Sequence, residues 1–150
     1  MKKIGLLVIV MVMVATGVLT MTARDRVITV EQLPQAAQTF VGKYFKKSQV
    51  ALVKEDKETF STDYEVTFSD GSKIDFNGAG EWKEVNSYAG VPTSIVPKQV
   101  MNFLKKNQYM GNGVTVRKIE RERSGWKVEL SNNMEFEFDK SFQLRDIDRD

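Results

Sequence analysis

The chain carries the same pattern of residues twice. Five residues between Leu33 and Val41 are matched 63 positions later, and eight residues between Tyr64 and Val85 are matched 62 positions later. The first set matches Leu33 with Val96, Pro34 with Pro97, Ala37 with Val100, Phe40 with Phe103 and Val41 with Leu104. The second set matches Tyr64 with Trp126, Val66 with Val128, Phe68 with Leu130, Ser69 with Ser131, Ile74 with Phe136, Phe76 with Phe138, Trp82 with Leu144 and Val85 with Ile147. Such a repeat is typical of two copies of one supersecondary unit, so it constrains the fold more than any other feature.

Each copy begins with a predicted helix. Apolar residues at helical spacing predict a helix over residues 31–47, with Pro34 in its first turn, where a missing N–H has no consequence. The matching Pro97 opens the second helix, which Lys105 and Lys106 close with charges that suit a helix C-terminus.

Strands follow each helix. The first copy predicts strands at 50–55, 60–68, 72–77 and 81–86, and the second copy predicts strands at 114–122, 126–131, 134–139 and 142–147. Apolar and polar residues alternate along them, and Asp70–Gly71 is a two-residue hairpin turn. The sequence therefore predicts an α+β fold in which two tandem α-β4 units, residues 28–86 and 91–148, share one antiparallel sheet of about eight strands. The two helices cover one face, and residues 87–94 are too short to separate two domains.

The N-terminus predicts export. Lys2 and Lys3 precede an apolar run over residues 4–21, which is typical of a signal peptide occupying residues 1–23. An uncleaved anchor is the alternative, and residues 4–21 are then the only membrane contact. The remaining residues carry 20 basic and 20 acidic side chains, so we expect a periplasmic or otherwise exported protein that binds no nucleic acid.

The residue types present exclude most catalytic chemistry. The chain has no histidine and no cysteine, which removes the common nucleophile–base pairs and most zinc and iron sites. Glu135 and Glu137 share a strand face, but such alternation is typical of the solvated face of a sheet, and we do not interpret them as an acid–base pair. We therefore predict no catalytic residue, no cofactor and no metal site.

The candidate binding surface is the polar face of the sheet. The side chains predicted to line it are Glu65, Thr67, Lys73, Asp75, Lys83, Lys127, Glu129, Glu135, Glu137, Gln143 and Arg145. Four aromatic residues fall outside the clear core patterns and are candidate interface anchors, namely Phe45, Phe60, Tyr88 and Tyr109. Mixed charges of this kind suit a specific protein partner better than a polyanion.

The runs at 28–41, 63–85, 91–104 and 125–144 resemble the β-lactamase-inhibitor-like, PepSY-like family of secreted bacterial proteins. The resemblance rests on Leu-Pro before a helix, then Tyr-Glu-Val, Asp-Gly and Gly-x-Trp, and then Val-Pro and the repeat. It implies a sheet with an open, often concave face, the surface with which β-lactamase inhibitory proteins hold an enzyme. This chain departs from those inhibitors because it lacks cysteine and hence their two disulfides.

The prediction for function is a non-catalytic module of the cell envelope that binds a protein through its open sheet face, as an enzyme inhibitor or regulator. The alternative is a carrier that holds a small molecule or peptide between the sheet and the helices. An enzyme comes third, because nucleophiles are missing.

Overall fold

The computed structural model describes residues 24–149, and the predicted signal peptide or anchor at residues 1–23 lies outside them. Within the described range, nine strands form one sheet in sequential order, and every neighbouring pair is antiparallel. The strands are β1 Asp25–Ile28, β2 Val50–Lys57, β3 Thr62–Phe68, β4 Lys73–Phe76, β5 Trp82–Asn86, β6 Val116–Arg121, β7 Gly125–Leu130, β8 Met134–Asp139 and β9 Leu144–Arg149. The α-helices are α1 Gln35–Tyr44 and α2 Lys98–Lys106.

The prediction of about eight strands was wrong by one strand. The missed element is β1, which lies at the edge of the sheet and pairs with β2, with Ile28 opposite Val53. Four residues are too few for a clear alternating pattern, and the strand is held by a partner more than twenty residues away in sequence. Its one apolar residue facing the helices, Ile28, is buried.

Helix α1 is shorter than the predicted span of 31–47. Val30–Gln32 forms a separate 3-10 turn, in which the Thr29 N–H donates to Gln32 Oε1 at 2.9 Å. The chain is then extended through Pro34, and the helix begins at the next residue. Gly80, in the turn between β4 and β5, has φ +82°, and a Cβ there would lie 2.8 Å from the Pro34 side chain. This close approach sets the start of α1 against the sheet.

Both helices pack on the same face of the sheet. Ala37 and Val41 of α1 and Val100 and Leu104 of α2 are fully buried and belong to one apolar cluster with the strands. This arrangement leaves the opposite face without a covering helix among the described residues, and that face is the candidate site.

The two aromatic residues at the centre of the predicted helix stripes lie at the margin of this core. Phe40 and Phe103 are half-buried, and their rings meet the edges of Phe76 and Phe138 at centroid distances of 5.7 and 5.3 Å. The smaller side chains on either side of them take the central positions, because they allow the helices to approach the sheet closely.

The two halves of the chain are joined through the pairing of β5 with β6, which confirms the prediction of one continuous sheet. The connecting segment is held to β6 by backbone hydrogen bonds from Ser87 N–H to the Arg117 carbonyl (2.8 Å) and from Val91 N–H to the Val116 carbonyl (2.7 Å). Each half contains a helix followed by four strands, while the residue-by-residue repeat stays a prediction from the sequence.

Candidate functional site: the open face of the sheet

The open face carries rows of charged side chains because charged and apolar residues alternate along each strand. In β3, for example, Val66 faces the helices and is fully buried, whereas its neighbour Glu65 points to the opposite face. Antiparallel pairing then places the charged residues of successive strands directly opposite one another, where their side chains interact.

Four carboxylates form a continuous line across the middle of this face. Glu65 of β3 lies opposite Asp75 of β4, which lies opposite Glu84 of β5, which lies opposite Glu120 of β6. We call Glu65, Asp75, Glu84 and Glu120 the acidic row. Like charges placed directly opposite one another are destabilising in a sheet.

The acidic row changes the acidity of its own members. The pKa of Asp75 is raised from 3.8 to about 6, first because burial disfavours its charged form and then because Glu65 and Glu84 repel it. Burial followed by repulsion from Glu84 also raises the pKa of Glu120. The centre of the open face is therefore a strained concentration of negative charge.

Lysines surround the acidic row and reduce this repulsion. Lys54 and Lys73 lie 3.2 and 3.6 Å from Glu65, and Lys118 lies 3.3 Å from Glu84. The resulting surface is mixed in sign, with an acidic centre and a basic margin, as the sequence suggested for this face.

A cavity of about 260 Å³ opens on this face beside the acidic row, towards β1. Its walls include Asp56, Asp63, Asp75 and Lys83, and Lys83 Nζ lies 2.8 Å from Asp63 Oδ2. Despite these carboxylates, no group of three or more histidine, cysteine, aspartate or glutamate residues within 24–149 is placed to hold a metal ion.

Two buried acceptors on the open face lack a hydrogen bond from the described residues. They are Oδ1 of Asp56 and Oδ1 of Asn86. Buried polar atoms in native structures are nearly always satisfied, so these two acceptors are unfavourable where they lie.

The second half has its own charge cluster on the same face. Lys127 Nζ lies 3.0 Å from Glu135 and 3.7 Å from Glu137, and the hydrogen bond from Lys127 to Glu135 raises the pKa of this lysine. Glu129 lies opposite Glu135 in the sheet register.

Most of the predicted surface residues are brought together here. The structure places Glu65, Lys73, Asp75, Lys83, Lys127, Glu129, Glu135 and Glu137 on the open face. Thr67 points to the same face but is buried beside its cross-strand partner Leu52. Gln143 lies in the turn before β9, where its N–H donates to Asp139 Oδ1 at 3.0 Å, and Arg145 lies on the exposed edge strand.

The four candidate aromatic anchors differ in their surroundings. Tyr88 and Phe60 are exposed, and the Arg117 guanidinium lies over the Tyr88 ring at 4.7 Å. Tyr109 instead packs on the core, 4.8 Å from Phe136, and Phe45 stacks on Phe68 at 5.0 Å. Only the first two present their rings to solvent.

Sequence reasoning missed half of the acidic row. Glu84 was not included because uninterrupted alternation assigns Lys83 to the open face, whereas a bulge opposite Phe76 shifts the register and puts Glu84 opposite Asp75. Glu120 was missed because its position depends on the pairing of β5 with β6, which joins residues more than thirty apart. The alternation of Lys118, Ile119 and Glu120 was the available signal.

The protein is thus an antiparallel sheet with helices on one face and charged side chains on the other, and comparison with known proteins agrees with this class. Residues 62–146 match the family described as "putative beta-lactamase-inhibitor-like, PepSY-like", and the chain belongs to this family. No curated protein matches the chain.

Solved structures from Bacteroides are similar over most of the chain. A putative periplasmic protein of the DUF2874 family from Bacteroides vulgatus is 37% identical, with a TM-score of 0.78, and the match covers 86% of this chain and 100% of that one. A protein from Bacteroides thetaiotaomicron described as putative, calcium-regulated and periplasmic is 38% identical, with a TM-score of 0.76 and coverages of 83% and 97%. A putative periplasmic protein of unknown function from Bacteroides vulgatus is 35% identical, with a TM-score of 0.73 and coverages of 83% and 98%.

These relatives bear on compartment and class. They are described as periplasmic, and none of the three descriptions names a catalytic activity. Between residues 24 and 149 no helix has both the length and the apolar character to cross a membrane.

Proposed function

We propose that the protein is an exported, non-catalytic module of the cell envelope that binds a protein partner through the open face of its sheet. In this proposal residues 1–23 are the export signal, and the units at 28–86 and 91–148 act as one domain. The periplasmic description of its relatives supports the compartment. Inhibition or regulation of an enzyme is the form of activity that the family description suggests.

The observation that carries the proposal is the acidic row. Four carboxylates opposite one another reduce stability, and the raised pKa of Asp75 shows that its ionised form is disfavoured where it lies. Residues that weaken a fold in this way are expected where function requires them.

The chemistry of the face defines what a partner must offer. Cations or N–H donors placed over the acidic row would relieve its repulsion. The more exposed lysines beside the row, Lys73 and Lys118, call for carboxylates at the margin of the partner. Such alternating charge gives specificity and speeds association.

The test is capture of partners from the envelope of the native host with purified protein as bait, followed by mass spectrometry. The variant Glu84→Lys with Glu120→Lys reverses half of the acidic row, and Lys105→Glu on the exposed side of α2 is the matched control. We expect the partner to be retained by the control and lost by the row variant. Equal capture by both variants would remove the open face from the proposal. Because one relative is described as calcium-regulated, each capture is run with calcium and with a chelator.

A carrier function is the second candidate, and a particular cavity favours it. A space of about 400 Å³ lies between the end of α1 and the linker, with Tyr44, Phe45, Phe68 and Pro92 in its walls. Binding pockets for small molecules have this size and aromatic character. Native mass spectrometry of protein purified from its host would reveal a bound small molecule, and a mass equal to that of the polypeptide alone would count against the carrier.

A further inference from the structure

Strand β9 ends the sheet with an uncovered edge. All six of its residues are exposed, including two large apolar ones, Leu144 and Ile147, each 38% exposed. Their cross-strand partners Phe138 and Phe136 are buried, so both side chains lie on the apolar face of the sheet at its margin. An edge strand also presents unpaired backbone N–H and C=O groups to solvent.

The first half of the chain contains the same arrangement with its edge covered. Val85 of β5 pairs with Ile74, as Ile147 pairs with Phe136, and both strand pairs have a bulge one step further along. Val85 is nevertheless completely buried. The difference is that β6 lies on the outer side of β5, whereas within the described chain no strand lies outside β9.

Strand β6 shows what kind of strand fits such an edge. Val116 and Ile119 point into the core, and Lys118 points to the open face, opposite Asn86 and 3.3 Å from Glu84. Apolar side chains therefore continue the core, while a lysine meets the polar side chains of the neighbouring strand.

The polar side of β9 is more acidic than that of β5. The positions 62 residues after Glu84 and Asn86 are Asp146 and Asp148, which lie opposite Glu137 and Glu135 of β8. Lys127 neutralises part of this charge through its contacts with Glu135 and Glu137. Of the arginines of β9, Arg145 is the extra residue of the bulge and pairs with no residue of β8, and the Arg149 guanidinium lies 3.6 Å from Met134 Sδ. A strand added here would meet a line of carboxylates.

The identity of the occupant follows from this charge. A second copy of β9, paired antiparallel about Ile147, would set Asp146 of each copy opposite Asp148 of the other, and like charges opposite one another are unfavourable. The edge at β1 offers less, because its apolar residue on the helix side, Ile28, is already buried.

We propose that the outer edge of β9 is a docking site for an extended segment of a protein partner, which adds to the sheet as a tenth strand. Its apolar residues cover Leu144 and Ile147, and its lysines or arginines, alternating with them, face Asp146 and Asp148. Addition of a strand to an exposed edge is a general mode of peptide recognition, in which backbone hydrogen bonds give affinity and alternate side chains give specificity. This surface is separate from the acidic row, and the proposal stands whether or not the row binds a partner.

The probe is a fluorescein-labelled peptide that copies residues 114–123 with Glu120→Lys and Glu122→Lys. In the register of β6, Val116 and Ile119 lie on its apolar side, and positions 118 and 120 carry basic residues on the other side. Binding to the purified protein is measured by fluorescence anisotropy. We expect Ile147→Lys to weaken binding at least about tenfold. The control Val27→Lys, at a 49% exposed residue of the opposite edge strand, leaves binding unchanged. Glu84→Gln tests the acidic row separately: a loss of binding in this variant but not in Ile147→Lys would put the peptide on the open face and overturn the proposal.

Two further measurements keep the test decisive. Circular dichroism confirms that Ile147→Lys is folded, and if it is not, Asp146→Asn with Asp148→Asn replaces it, with the same loss expected. Two versions of the peptide are made, with methyl groups on the odd-numbered or on the even-numbered backbone nitrogens. Only one version should lose binding, because the backbone N–H groups along just one edge of the peptide pair with β9. Absence of binding, equal binding of a scrambled peptide, an equal loss with Val27→Lys, or a dimer formed through β9 would each overturn the proposal.

Discussion

Strands β5 and β9 occupy matching places in the two halves and have opposite surroundings. Val85 and Ile147 pair with the equivalent residues of the preceding strands, yet the first is completely buried and the second is 38% exposed. The local sequence pattern is the same in both. Burial is therefore decided by the neighbouring strand. The same sequence pattern gives a core residue inside the sheet and a partly exposed residue where the sheet ends.

The same comparison on the open face shows charges exchanged between the halves. Lys73 lies 3.6 Å from Glu65 in the first half, and the residues 62 positions later, Glu135 and Lys127, lie 3.0 Å apart with the signs reversed. Both halves thus have an ion pair at this place in the sheet, with the acidic and basic residues exchanged between the two strands. Three of the four carboxylates of the acidic row lie in the first half, whereas the other charge cluster of the second half is centred on Lys127.

The core should respond alike in both halves. Phe76 and Phe138 are matched positions, and both are almost fully buried in the same cluster. Replacing either with alanine should lower the free energy of unfolding by about 3–5 kcal/mol, from lost burial and the cavity left behind. Chemical denaturation of the two variants measures this. A difference of more than about 2 kcal/mol would show that one half is packed more loosely than the other.

The pH dependence of stability should distinguish Asp75, in the first half, from the matched residue in the second half. Asp75 has a folded-state pKa of about 6 against an ordinary value of 3.8, so between these values the folded protein binds a proton that the unfolded chain does not. This group therefore stabilises the fold as pH falls from about 6 to about 4, and it is destabilising at neutral pH. Asp75→Asn should raise stability at pH 7.5 by on the order of 2 kcal/mol, and by much less at pH 4.

The matched control for this variant is Glu137→Gln. Glu137 is the equivalent residue in the second half, where it is nearly half exposed and lies 3.7 Å from Lys127. Its replacement should change stability by less than about 0.5 kcal/mol at either pH. A loss of stability in Asp75→Asn at pH 7.5 would mean that the attraction of Lys73 and Lys83 outweighs burial and repulsion at this carboxylate.

The matched positions Val85 and Ile147 can be compared by introducing a hydroxyl. Val85→Thr buries an oxygen with no partner in the core and should cost about 2 kcal/mol. Ile147→Thr keeps its hydroxyl in contact with water and should cost less than about 1 kcal/mol. Thermal unfolding at several protein concentrations measures both. Equal losses, together with a concentration-dependent midpoint, would show that β9 is covered by another molecule in solution.

Local patterns predicted much of the fold and less of the site. The helices and eight strands followed from periodicity that each segment carries by itself, because burial on one face leaves a regular trace in the sequence. Strand β1 and the acidic row depend on pairing between distant segments, and the bulge before Glu84 reverses the face that simple alternation assigns. A residue such as Asp75 could be placed on the open face from the sequence, but its raised pKa depends first on its burial in the folded sheet and then on neighbours from two other strands.

The smallest expected effect concerns the exchanged ion pairs. Double-mutant cycles with Glu65→Gln and Lys73→Met, and with Lys127→Met and Glu135→Gln, isolate the coupling energy of each pair. All four side chains are a quarter to two-fifths exposed, so water and salt screen both pairs. We expect coupling energies of about 0.5 kcal/mol in each half, and smaller values at high salt.

Equal coupling energies would show that exchanging the acidic and basic residues does not change the strength of the pair. They would also show that the acidic row raises the pKa of Asp75 without strengthening the ion pair between Glu65 and Lys73. The structure gives both pairs a similar setting, since Lys54 also contacts Glu65 at 3.2 Å and Glu137 also contacts Lys127 at 3.7 Å. A coupling above about 1.5 kcal/mol in the first half alone would contradict this expectation. It would mean that the crowded carboxylates of the acidic row are dehydrated enough to strengthen the pair, because an ion pair gains energy as its surroundings lose water.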